Sequence, residues 1–135
     1  MKKLLFVFAC LMPMTLMAQP QFKGYFINNE LNLRLTLDLY EQTVSQPQFD
    51  EEKCFGVLEG ALNGHWVFLK IESLDETVAV VRAVSDSGIE AQSLELKLTE
   101  EGIEIKQVKG ANIRGVKNRK YVKLPKNISF KRRLL

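Results

Sequence analysis

The chain is poor in the residues on which many small folds and enzyme sites depend. Its 135 residues include two cysteines, one histidine and one tryptophan. Cys10 lies in an N-terminal apolar run, so Cys54 stands alone in the remainder, and a disulfide scaffold is excluded. A structural zinc site, which takes several Cys or His ligands, is excluded by the same shortage. With 8 glycines and 4 prolines in no regular spacing, the chain is not collagen-like, and at 46% hydrophobic it is not a disordered tail. The longest apolar run, Leu4 to Met12, has nine residues, against the ~20 needed for a membrane-spanning helix. There is no Gly-x-Ser-x-Gly elbow, Walker loop or dinucleotide fingerprint.

Acidic residues are missing from one part of the chain. Residues 105–135 carry 11 basic side chains and no acidic one, whereas residues 19–104 carry 6 basic and 16 acidic. The formal net charge of +3 therefore hides a segment of −10 followed by one of +11.

What is present begins with Met1-Lys2-Lys3, the apolar run, and a small residue, Ala18, before Gln19. That order of basic, apolar and small residues predicts a secretory signal peptide over residues 1–18. The mature part, residues 19–135, is of a size for a single domain with its own core. Lipidation at Cys10 is the competing reading, but Phe8 is bulky where a small residue is usual. The expected location is periplasmic or extracellular, with no transmembrane segment in the mature chain.

Period-two alternation dominates the mature chain. From Leu31 to Tyr40 every second residue is a leucine, which puts Leu31, Leu33, Leu35, Leu37 and Leu39 on one face of a strand. Burial of each is worth ~1.5–3 kcal/mol, making this strand a core organiser. Asn63-Gly64 predicts a two-residue hairpin turn. Leu62 would then pair with His65, and Cys54, Leu58, Leu62, Val67, Leu69 and Ile71 would face inward. Phe55, Val57, Trp66 and Phe68 would face outward.

Further strand-like stretches cover residues 77–84, 89–98, 103–108, 119–124 and 127–132. A bulge is expected near Gln92-Ser93, a glycine-containing loop around Gly110 and Gly115, and an edge or bend at Pro125. About eight short strands joined mainly by tight turns predict an all-β antiparallel meander closing into a small up-and-down barrel. A two-sheet β-sandwich is the alternative. In strand pattern the mature chain resembles the lipocalin-like and lysozyme-inhibitor-like small exported barrels. The Gly-x-Trp near the start of true lipocalins is replaced by Gly24-Tyr25-Phe26, so no site residue is carried over from the resemblance.

Candidate chemistry is sparse. A Cys54–His65 nucleophile pair is disfavoured, because the hairpin register sets Cys54 opposite Ser73, roughly 27 Å along the ladder from His65 at ~3.4 Å per residue. Asp50-Glu51-Glu52 lacks the spacing of a calcium loop, and Glu100-Glu101 falls in a turn. No enzymatic activity, metal or cofactor is expected. The basic segment remains, with Arg114, Lys117, Arg119, Lys120 and Lys123 at its centre. Either these charges gather into a site for an anionic envelope component, or they lie beside acidic strands and neutralise them. Nucleic acid is not expected for an exported chain without stacking aromatics beside the charges. The leading expectation is a non-catalytic binding or inhibitory protein whose partner is a protein or an anionic envelope component. A carrier of a small apolar ligand in the barrel interior is the alternative.

Overall fold

A computed structural model describes residues 21–47 and 52–133. The expected leader with Cys10, together with Asp50 and Glu51, lies outside the described residues. The strands are β1 (Lys23–Asn28), β2 (Leu33–Asp38), β3 (Val44–Ser45), β4 (Lys53–Cys54), β5 (Gly56–Gly60) and β6 (Trp66–Leu74). They continue as β7 (Val78–Ser85), β8 (Ala91–Leu98), β9 (Gly102–Gly110), β10 (Arg114–Lys117), β11 (Lys120–Lys123) and β12 (Asn127–Arg133). No helix occurs among the described residues.

Eight of these strands form a closed antiparallel barrel, not a two-sheet sandwich, in the order β1-β2-β5-β6-β7-β8-β9-β12, with β12 returning to β1. The order is a plain meander into which two hairpins are inserted, β3–β4 between β2 and β5, and β10–β11 between β9 and β12. Because neighbours are antiparallel, successive connections alternate between the two ends of the barrel. The β10–β11 hairpin therefore shares its end with the β1–β2, β5–β6 and β7–β8 connections.

The leucine alternation carries through to packing. Leu33, Leu35, Leu37 and Leu39 are buried in one large cluster, and Leu31 packs against its margin. Phe26, Trp66, Phe68 and Phe130 join them, so aromatic side chains take much of the interior. Gly56 makes room for this: a Cβ there would lie 2.7 Å from Leu37 Cδ2 and 2.8 Å from Phe68 Cδ2. The expected bulge appears as a register shift after Ser93 on the β8–β9 ladder.

The β5–β6 hairpin departs from the sequence expectation. Leu58 pairs with Trp66, Val57 with Val67 and Gly56 with Phe68. This register is offset by an odd number of residues from the one a two-residue Asn63-Gly64 turn would impose, so the faces of β6 are exchanged, while Leu58 and Leu62 stay in the core as expected. Trp66 and Phe68 point inward, while Val67 joins Cys54 and Val57 in a small outer cluster beneath Val44. Leu69 sits at a register shift and is 45% exposed, after which Ile71 returns towards the core. The physical reason is size: two aromatic side chains bury far more area than Val67 and Leu69 would, and the turn yields to them. The connection becomes residues 61–65, with Gly64 still taking the positive φ of 86°.

Residues 119–124 also differ from expectation, since they do not close the barrel. Lys120–Lys123 pairs back on Arg114–Lys117, and Pro125 marks the bend into β12, the strand that does close it.

The register is directly testable. Phe68→Ala should cost about 3–5 kcal/mol, and Leu69→Ala less than about 1 kcal/mol, in urea unfolding. A larger loss at Leu69 would restore the two-residue-turn register.

Candidate functional site

The β10–β11 hairpin is built on the barrel rim rather than into its wall. Ile113 before it and Leu124 after it are buried in the main core cluster, so both ends of the insertion are anchored by apolar contacts. A buried pair of amides holds the entry. Gln107 Oε1 accepts from the Ile113 N–H (2.9 Å) and from Gln92 Nε2 (3.3 Å), and Gln92 Nε2 also donates to the Ala111 carbonyl (2.9 Å). Residues released by the β5–β6 register then form a seat for β10. The Val116 N–H donates to the Ala61 carbonyl (2.9 Å), the Asn63 N–H donates to the Arg114 carbonyl (3.2 Å), and Leu62 bridges Gly115. Gly115 leaves room for Leu124, whose Cδ2 would lie 2.9 Å from a Cβ there.

All five basic residues singled out in the sequence lie on this hairpin, and each is exposed. Arg114 stands directly across from Lys123, and Lys117 across from Lys120. Directly opposed like charges destabilise a strand pair. None of the five has a carboxylate within 4 Å among the described residues. Between the two charged pairs lies Val116 opposite Tyr121, which is 61% exposed. Side chains alternate along a hairpin, so Arg114, Val116, Tyr121 and Lys123 share one face and Gly115, Lys117, Lys120 and Val122 the other. Both faces reach solvent: Val122 is 37% exposed and Val116 is half-buried.

The turn adds a second cost. Asn118 and Arg119 have φ of 53° and 66°, the backbone of a type I′ turn. Asn is suited to the first position, but glycine is the residue that fits the second without strain. Arginine there holds a charge at the tip against a backbone preference.

The remaining basic residues are dispersed. Lys131 lies 3.7 Å from Glu101. Arg132 stacks over Phe26, 4.7 Å from the ring centroid, and donates to the Lys23 and Gln21 carbonyls (2.7 and 2.6 Å). Those contacts tie β12 to the start of β1 and the residues just before it. Lys109 and Lys126 are exposed near the base of the hairpin.

Other candidate groups are structural. Cys54 is buried on β4 opposite Val44, not on a ladder opposite Ser73, and its Sγ lies 3.3 Å from the Val44 and Gly56 carbonyls. Burial pushes its thiol pKa up, which keeps it from serving as a thiolate. His65 Nδ1 lies 3.0 Å from Asp86 Oδ2, which also accepts the His65 N–H (2.8 Å), and this fastens the β5–β6 connection to β7–β8. Asp38 is buried at the root of the β3–β4 insertion. Burial alone would raise its pKa, but hydrogen bonds from Thr43, Glu41 and Tyr40, with Lys23 nearby, outweigh it and hold the carboxyl below its usual value. Glu52, Glu100 and Glu101 are exposed. Among the described residues no group of three or more His, Cys, Asp or Glu side chains is arranged to hold a metal.

Sequence reasoning placed the charges but missed Tyr121, Gln92 and Gln107. Tyr121 was legible in composition, but its outward position depends on the hairpin pairing. The glutamines gave no signal, because a polar residue in a strand reads as solvent-facing.

If the hairpin carries charge against its own stability, removing charge should stabilise it. Arg119→Gly should raise stability by up to about 1 kcal/mol. Lys120→Glu, which makes an opposite-charge pair with Lys117, should add about 0.2–1 kcal/mol. Thermal unfolding at low salt measures both, and a loss of stability in both variants would contradict such a conflict.

Compared with known protein families, curated proteins and solved structures, the chain matches none. The reading of the hairpin therefore rests on its own geometry.

Proposed function

We propose that this is an exported, non-catalytic binding protein that engages an anionic partner through the β10–β11 hairpin. The observation that carries the proposal is the concentration of Arg114, Lys117, Arg119, Lys120 and Lys123 on one inserted hairpin, exposed and without carboxylate partners among the described residues. Two like-charged cross-strand pairs and an arginine at a turn position that suits glycine all oppose local stability. Such a conflict between local rules is expected where a surface serves a partner. Converging positive charge raises the local concentration of anionic ligands and speeds their association.

Export is inferred from the leader sequence. The lipocalin-like and lysozyme-inhibitor-like resemblance supports a binding role at the level of architecture: a rigid closed barrel presenting an inserted hairpin at one end. The interior favours surface recognition over carriage of an apolar ligand, because Phe26, Phe68, Leu35 and Leu96 fill it at or near zero exposure.

The proposal is tested by binding of the mature protein to lipopolysaccharide and to heparin at increasing salt. Affinity should fall steeply as the Debye length shrinks from about 10 Å at 0.1 M to about 3 Å at 1 M. Charge reversal of Lys117, Arg119 and Lys120 should lower affinity at least about ten-fold at low salt, whereas reversal of Lys70 and Lys97 on the barrel wall should change it little. Binding that ignores salt, or that is lost equally with both sets, would remove the hairpin as the contact.

A further inference from the structure

Charge alone does not account for the exposed surface of the hairpin. Among its basic residues it also exposes Tyr121 and Val122, with half-buried Val116 across from Tyr121. Tyr121 is 61% exposed, and its hydroxyl has no hydrogen-bond partner among the described residues. A free polyanion needs none of this, since basic residues suffice for it. A ring with an apolar body and a polar tip, framed by long basic side chains, suits the boundary where headgroups meet acyl chains.

Resting on the anionic-partner reading, we propose that the partner is an anionic lipid surface. The hairpin docks on it with Tyr121 seated among the headgroups and the surrounding basic residues on lipid phosphates. The attachment is peripheral and reversible: it needs a basic cluster plus a small apolar contact, and each basic residue near such a surface contributes roughly five-fold in affinity. No helix among the described residues is long and apolar enough to cross a membrane, and the proposed contact requires none.

The test is co-sedimentation of mature protein with vesicles of phosphatidylcholine alone and with vesicles containing phosphatidylglycerol, run beside heparin binding. Binding should appear with the phosphatidylglycerol vesicles and be absent with phosphatidylcholine alone. Tyr121→Ser should weaken vesicle binding at least about five-fold and leave heparin binding unchanged. As a second readout, Tyr121→Trp should show a blue-shifted emission on the anionic vesicles, while Trp66, already buried, stays constant. Heparin binding without vesicle binding, or a Tyr121→Ser variant that binds vesicles as wild type does, would overturn the lipid proposal and leave the anionic-partner reading standing. Loss of both heparin and vesicle binding in the wild type would overturn both.

Discussion

An eight-stranded barrel has an interior that side chains can just fill, and the way this chain fills it governs the rest of the structure. The leucines of β2 supply one wall, and Phe26, Trp66, Phe68 and Phe130 supply bulk. Seating Trp66 and Phe68 inside sets the β5–β6 register against the local turn signal. That register lengthens the connection to residues 61–65, and the lengthened connection is where β10 rests, through Ala61, Leu62 and Asn63. The position of the basic hairpin is thus a distant consequence of aromatic burial. Weakening the core at Phe68 would disturb the seat of the hairpin as well as global stability.

The same filling underlies the proposal that recognition takes place on the outside of the barrel. With the interior occupied, the irregular parts of the meander are its two inserted hairpins. One, β3–β4, is short and through Val44 and Cys54 covers the apolar surface of Val57 and Val67. The other, β10–β11, is anchored at both ends by buried residues but exposes every residue of β11. An insertion that is firmly rooted and poorly neutralised makes a defined contact surface on a rigid support. The costs it carries, like charges face to face and a strained turn, are local and small beside the stability a closed barrel supplies.

Much of the fold was legible in the residues. Alternation over residues 31–40 marked a half-buried strand, and short strands with tight turns marked a closed meander; both arise from local side-chain periodicity. What was not legible depended on competition between distant parts. Asn63-Gly64 is a strong turn signal, yet a turn is worth less than burying two aromatic rings, and sequence near the turn does not reveal which wins. The β10–β11 hairpin was hidden because Asn118-Arg119 lacks the glycine that announces such a turn, so residues 119–124 read as a barrel strand. The five basic residues stood out in composition, but whether they neutralise neighbours or gather together was a question of pairing. Lys131, 3.7 Å from Glu101, did the first, and the hairpin residues did the second.

The central claim is that the anionic partner meets the β10–β11 hairpin and nothing else on the barrel. Amide chemical-shift mapping of labelled protein comprising residues 19–135, titrated with a short sulfated oligosaccharide, tests it most directly. Contact through the hairpin predicts shifts confined to residues 113–124, with weaker ones at residues 61–63, which hydrogen-bond to β10, and their disappearance at high salt. Shifts centred on the groove between the β1–β2 and β8–β9 turns, where Glu30, Glu100 and Glu101 lie, or on residues lining the barrel interior, would contradict it.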